Sequence, residues 1–308
     1  MSTILEPGQI EASAVMPPFL HLPADDLFDQ RAERLECLAQ GHALGDYLRL
    51  IARLCRIQQQ LLDAPPSPVP VAEVRQRLCI DHGLPPLAAD GLVREGAWLV
   101  WLQALLERFQ APEPGPLAVA LESLRDSDEV QRKGWGIALL GGQYDALPAA
   151  VVPFLGAALQ AAWASWRRAL SSDELKPGGS LAQCPCCGSP AMAGVMRNRG
   201  KHNGLRYLVC SLCACEWHVV RVKCVYCESS KGLHYTSLEH DGWAPGKAPL
   251  QAECCPGCHS YLKHCYLEND AAGEALADDL ASLALDIRLD EEGFHRLAPN
   301  LMLAPGGG

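Results

Sequence analysis

The sequence predicts a multidomain α+β protein, with an all-α N-terminal helical domain, two tetracysteine modules and a C-terminal helix. Three observations carry this prediction. Through the first half, apolar residues recur at three- and four-residue steps, the spacing of amphipathic helices. Composition then changes abruptly after Lys176-Pro-Gly-Gly-Ser180. Beyond that break, four Cys-x-x-Cys pairs crowd together: Cys184/Cys187, Cys210/Cys213, Cys224/Cys227 and Cys255/Cys258.

With 308 residues the chain can bury a sizeable core and divide into domains. Its 49% hydrophobic and 20% charged content is that of an ordinary globular protein. A net charge of −10 gives no overall basic field for nucleic acid, so no nucleic-acid partner is expected. Fifteen cysteines are an odd number, and neighbouring pairs would close only trivial disulfide loops. The opening Met1-Ser-Thr-Ile-Leu-Glu-Pro7 lacks a basic region followed by an apolar one. A reducing cytoplasm is therefore the expected compartment. The uncharged stretch Ala146–Trp166 is long enough to span a bilayer. It is rich in alanine, however, broken by Pro148, Pro153 and Gly156, and carries Gln160. A buried core helix is expected there rather than membrane insertion.

Residues 1–22 read as a proline-punctuated tail, and residues 23–176 as the helical domain of six to eight helices. Leu44, Tyr47, Leu48, Ile51, Leu54, Cys55 and Leu61 or Leu62 line one helix face. Pro65-Pro66-Ser67-Pro68 stops that helix. Further helices are expected over Val71–Ile80, Ala88–Gln110, Leu117–Leu124, Glu129–Leu140 and Pro153–Leu170, separated by proline and glycine breaks. Cys37, Cys55 and Cys79 read as buried structural thiols on these helices, and the pairs Trp98/Trp101 and Trp163/Trp166 as core packing.

The two modules, over 181–223 and 224–268, are of the rubredoxin-like or zinc-ribbon kind: knuckles joined by short strands. Leu205–Val209 and Trp217–Val222 mix aromatic and β-branched residues as hairpin strands do. The polar, basic residues 197–206 read as a loop between knuckles, either a solvated turn or a docking surface for an acidic partner patch. Residues 269–308 supply one amphipathic helix over Asp270–Leu289, capped by Asp270, then a loose tail from Leu301.

Each Cys-x-x-Cys presents two thiolates one metal-ion diameter apart, and two such knuckles close a tetrahedral cage. Sequential pairing, the simplest topology, assigns Cys184, Cys187, Cys210 and Cys213 to the first ion and Cys224, Cys227, Cys255 and Cys258 to the second; a crossed pairing of first knuckle with third and second with fourth is the alternative. Gly188, directly after Cys187, suits a tight turn with positive φ, and Pro185 and Pro256 pre-set the knuckle turns. Cys186, Cys215, Cys254 and Cys265 are left over, with Cys254 competing with Cys255 for the second cage. His202, His218, His259 and His264 are expected at the surface or in hydrogen bonds, because four cysteines saturate each cage. Sulfur-only sites take iron or zinc, and a closed cage offers no open position for catalysis.

The runs Cys184-Pro-Cys-Cys-Gly-Ser-Pro190, Gly204–Leu208, Cys210-Ser-Leu-Cys213 and Glu216–Cys224 resemble the FdhE family of formate dehydrogenase accessory proteins. Leu233-His-Tyr235, Ser260–Lys263 and Ala277–Leu283 extend the resemblance, which covers about residues 181–303. It implies a cytoplasmic, non-enzymatic factor required for producing active, exported respiratory formate dehydrogenase. It further implies binding to that enzyme's catalytic subunit, and rubredoxin-type iron, two ions per chain, on the eight knuckle cysteines. Zinc is the alternative metal. A rubredoxin-like electron-transfer protein acting on a metalloenzyme partner is the alternative function.

Overall fold

A computed structural model describes residues 18–111, 114–170, 175, 180–199, 202–238, 243–244 and 246–304. Most of the expected N-terminal tail, linker residues 176–179 and the terminal 305–308 lie outside the described residues, as do the side chains of 198–203.

The helical periodicity is realised in eight α-helices among the described residues before 180. They are α1 (Leu27–Leu38), α2 (Gly45–Asp63), α3 (Glu73–Asp81), α4 (Ala89–Glu95), α5 (Leu99–Arg108), α6 (Pro116–Asp126), α7 (Glu129–Leu140) and α8 (Val152–Arg168). Pro116 opens α6 at its first turn, where a missing N–H costs nothing. The Asp128 carboxylate caps α7 by accepting from Gln131 N at 2.8 Å. One helix was expected over Ala88–Gln110, but Gly96, left-handed at φ 85°, ends α4. The Trp98 indole N–H donates back to the Val93 carbonyl across that break at 3.1 Å. The bend drops Trp98 and Trp101 into the core, both fully buried.

Helix α8 is the centre of the helical layer, with α2, α5 and α7 packed around it. The stretch Ala149–Arg168 that contains it is long and apolar enough to cross a membrane, but it is mostly buried inside the protein. Trp163 and Trp166, fully buried, pack at a ring separation of 4.8 Å. Of the three thiols expected in this half's core, only Cys55 is buried. Cys37 is exposed and Cys79 half-buried, because α1 and α3 turn those positions away from the core.

Among the described residues, the chain after 180 and a short N-terminal strand build one sheet of eight strands: β1 (Leu20–His21), β2 (Ala191–Arg199), β3 (His202–Cys210), β4 (Glu216–Val219), β5 (His234–Thr236), β6 (Leu250–Cys255), β7 (Ser260–Tyr266) and β8 (His295–Arg296). The order is β1-β4-β3-β2-β7-β6-β5, with β8 beside β7. The expected hairpin is present as β3–β4, with Leu208 opposite Trp217. Strand β2 then pairs in parallel with β7, so the two cysteine modules share a continuous sheet. At that seam Gly194 lies opposite His264, and a Cβ at Gly194 would overlap the imidazole. Leu20 and His21, expected as tail, add an edge strand on β4, and Tyr207 OH donates to the Pro18 carbonyl at 2.9 Å.

The basic run 197–206 is not the loop that its polarity suggests. Arg197–Arg199 end β2 and His202–Arg206 begin β3. Arg197 forms a bidentate pair with Glu216, and Arg206 is fully buried against Glu253 at 2.8 Å. Arg206 also donates to the carbonyls of Val220 and Lys223. Residues 200–201 lie outside the described set. Charge in this run therefore locks β3 to β6 across the sheet.

The C-terminal helix is interrupted. Glu274, not Asp270, caps α9 (Ala275–Ala281) by accepting from Ala277 N at 2.8 Å. Asp270 instead accepts from Arg34 of α1 at 2.7 Å. A break at Ser282 precedes α10 (Leu283–Glu291). There the buried Lys263 ammonium takes the Asp279 carbonyl at 2.8 Å and the Ser282 hydroxyl at 2.9 Å, replacing helical bonds. Burial disfavours the Asp279 carboxylate, yet Arg296 and Lys263 outweigh it and hold its pKa at about 2. The described start of the tail expected to be loose is anchored: Leu301 and Met302 are buried, and the Leu301 carbonyl presses on Gly156 of α8.

Candidate metal centres

Each knuckle is a short turn whose last residue reverses the chain. In the first, Cys184 N donates to the Ser189 carbonyl at 2.9 Å and Gly188 N to the Cys184 carbonyl at 2.8 Å. In the third, Cys224 N meets Ser229 O at 2.8 Å and Glu228 N meets Cys224 O at 3.0 Å, the same pattern. The residue after every second cysteine is left-handed: Gly188 (φ 74°), Ala214 (56°), Glu228 (62°) and His259 (54°). Only the first is the glycine that such a backbone favours. The reversal turns backbone N–H groups toward sulfur, as where Leu212 N and Cys213 N both lie 3.4 Å from Cys210 Sγ.

The first and second knuckles converge, as sequential pairing requires. Cys184 Sγ lies 3.5 Å from Cys213 Sγ, and Cys187 Sγ lies 3.4 Å from Cys210 Sγ and 3.7 Å from Cys213 Sγ. In the second quartet Cys224–Cys258 is 3.7 Å and Cys227–Cys255 is 3.6 Å. A tetrahedral ion with bonds of about 2.3 Å to sulfur needs edges of about 3.8 Å. Both quartets fit such an ion, with all their sulfurs within 4.8 Å of one another. All fifteen cysteines are free thiols.

Their surroundings differ. Cys184, Cys187, Cys210 and Cys213 are at most 1% exposed, sealed under the helical layer. Leu87 N and Ala89 N donate to the Cys186 and Cys187 carbonyls at 2.9 Å, and Gln160 of α8 donates to the Ser211 carbonyl at 2.8 Å. Burial pushes the Cys184 and Cys210 thiols well above the ordinary range, so a cation is what would deprotonate them. Cys213 is the exception. Burial opposes its thiolate, but hydrogen bonds from Cys184, Cys186, Cys187 and Cys210 outweigh that and pull its pKa well down. The second quartet reaches the surface: Cys227 is exposed and Cys258 half-buried. Burial would raise Cys258, but the Ser260 hydroxyl at 3.0 Å and the Cys227 and Cys255 thiols lower it to about 7.

Cys255, and not Cys254, enters the second quartet. Alternation along β6 turns Cys254 into a small apolar cluster with Ala252, Tyr261, Leu285 and Leu289. Cys265 is buried in the main core. His218 lies edge-on to Tyr207, and His259 sits tilted against Phe294. His264 departs from the sequence expectation: it is fully buried, and neither ring nitrogen has a hydrogen-bond partner. Burial, with Arg206 and Arg221 nearby, holds its pKa down at about 3, so it is a neutral ring wedged against Gly194. Sequence reasoning missed the left-handed Ala214, Glu228 and His259, whose only signal is their fixed place after a knuckle.

Comparisons with known proteins agree across the chain. Profiles described as "FdhE, N-terminal", "FdhE, central domain" and "FdhE, C-terminal domain" match residues 16–180, 183–221 and 222–303. A protein named FdhE homolog from Pseudomonas putida is 80% identical over 308 residues, covering 100% of this chain and 97% of that one. The FdhE homolog of Pseudomonas aeruginosa is 61% identical, covering 99% of each chain. Protein FdhE of Salmonella paratyphi B is 38% identical over 96% of this chain and 93% of its own. The crystal structure of the FdhE protein from Pseudomonas aeruginosa superposes with a TM-score of 0.89 at 59% identity, covering 94% of this chain and all of that one. With three matched segments spanning nearly its whole length and full-length relatives at this identity, the chain belongs to the FdhE family.

Proposed function

We propose that this chain is a non-enzymatic accessory factor required for producing active respiratory formate dehydrogenase, and that it binds the catalytic subunit in the cytoplasm before export. Family membership supports the accessory role. The observation that carries the non-enzymatic part is the closure of the cysteine cages. An ion held by four sulfurs at these spacings has no position left for substrate or water. We assign Cys184, Cys187, Cys210 and Cys213 to one ion and Cys224, Cys227, Cys255 and Cys258 to the other, with iron favoured and zinc the alternative. When bound, each ion would cross-link two knuckles and tie together the strands that flank them.

Capture of the formate dehydrogenase catalytic subunit by the tagged full chain tests the partner. Failure to bind, together with normal enzyme activity in a deletion strain, overturns the role. The visible spectrum of anaerobically purified protein decides the metal, since ferric tetrathiolate is red and zinc colourless.

A second reading, rubredoxin-like electron transfer to a metalloenzyme partner, is favoured by one observation. Cys227 brings the second cage to the surface, where an iron would lie within close reach of a docked protein. A reversible one-electron couple lost in Cys227→Ser supports it, and a zinc-only protein excludes it.

A further inference from the structure

Two thiols outside the knuckle pairing lie against the first cage. Cys186 and Cys215, both fully buried, bring their sulfurs within 3.2 Å of each other. With Cys184 and Cys213 they form a second complete quartet, again within 4.8 Å throughout. The two quartets overlap along one edge, the 3.5 Å separation between Cys184 Sγ and Cys213 Sγ.

We propose that the first cage is a binuclear centre, in which two divalent, thiophilic cations of the zinc class share six cysteine thiolates, with Cys184 and Cys213 bridging. Cys187 and Cys210 complete one tetrahedron, and Cys186 and Cys215 the other. With metal–sulfur bonds of about 2.3 Å, bridging sulfurs 3.5 Å apart place the ions about 3 Å from each other. Charge does not oppose the second ion. Four thiolates around one divalent cation leave two negative charges, and six around two cations leave the same two. That equality matters in a site sealed from water, where extra net charge would be expensive. Position supports the arrangement as well. Cys186 lies inside the first knuckle turn and Cys215 follows the left-handed Ala214, so the backbone that aims the knuckle sulfurs aims these two also. The Cys186 and Cys215 carbonyls are held by Leu87 N and Cys210 N, each at 2.9 Å.

This inference rests on the metal-holding reading of the first cage, takes the zinc alternative there and adds a second ion to the one assigned above; it does not rest on the accessory role. The full chain, reduced and loaded with cadmium-113, tests it. Native mass spectrometry is expected to count three cadmium ions per chain, two in the first cage and one in the second. Proton–cadmium correlation spectra are expected to couple the methylene protons of Cys184 and Cys213 to two cadmium nuclei each, and those of Cys186, Cys187, Cys210 and Cys215 to one. The Cys186→Ser/Cys215→Ser variant keeps a complete mononuclear quartet, so it is expected to fold, to bind two ions, and to couple Cys184 and Cys213 to one nucleus each. A wild-type chain with two cadmium ions, or with every cysteine coupled to a single nucleus, overturns the binuclear centre and leaves the mononuclear cages standing. A chain that takes up no cadmium overturns both.

Discussion

Gly156→Ala separates what helix propensity dictates from what the tertiary structure dictates, because the two give opposite signs. Gly156 lies inside α8, where alanine is favoured over glycine by about 1 kcal/mol. A Cβ there would overlap the Leu301 carbonyl, which is backbone and cannot swing aside. The C-terminal segment would have to lift. Leu301 and Met302 are at most 2% exposed, the Tyr47 hydroxyl donates to the Met302 carbonyl, and Met302 N donates to Asn300 Oδ1 at 3.0 Å. Complete release would forfeit about 1.5–3 kcal/mol for each of the two side chains. Partial relaxation brings the cost into the range of about 1–3 kcal/mol usual for overpacked cores. The substitution is therefore expected to destabilise the full chain, read as the urea midpoint in excess metal at constant m. Deleting residues 299–308 removes the obstacle, and in that background alanine is expected to stabilise by about 1 kcal/mol. A coupling of about 2–4 kcal/mol between the changes follows. A stabilised full-length Gly156→Ala protein, or equal effects in both backgrounds, would refute the reasoning.

Three further outcomes are expected. His264 has a folded pKa of about 3, below its unfolded value, so the unfolded chain binds the extra proton in mild acid and stability is lost as pH falls from 6.5 towards 3. The loss at pH 5 amounts to about 2 kcal/mol, and His264→Leu should flatten the slope of unfolding free energy between pH 7 and 5; an unchanged slope contradicts a neutral buried ring. A soluble chromophoric chelator should strip the second cage, with Cys227 exposed, before the sealed first one. Its fast phase should vanish in Cys227→Ser, and a single-phase release from the wild type would argue against this order. Arg206→Met leaves the Glu253 carboxylate, 4% exposed, with only Tyr235 OH at 2.8 Å, and is expected to cost about 3–5 kcal/mol. Adding Glu253→Leu should recover much of that, as thermal midpoints would show; no recovery would mean that the carboxylate is not what the single change strands.

The eight knuckle cysteines were legible in the sequence because a knuckle is local: its spacing alone sets two sulfurs side by side. Helices α2, α6 and α7 were legible for the same reason, their faces and stops lying within a few residues of one another. Gly188 announced its left-handed turn, while Ala214, Glu228 and His259 adopt that backbone without a side chain that signals it. The loop assigned to 197–206 failed because polarity says nothing of a buried partner. Glu253, distant in sequence, turns Arg206 into a core residue.

Local chain chemistry thus determined most of the helical half and the four cysteine knuckles, since each depends on residues a few positions apart. Only tertiary structure decided that both cysteine modules share one sheet through β2 and β7, that His264 wedges against Gly194, and that the C-terminal segment packs onto α8. It alone brought Cys186 to Cys215 beside the first cage. Such contacts join residues far apart along the chain, and their energy comes from packing and desolvation between surfaces that no local pattern encodes.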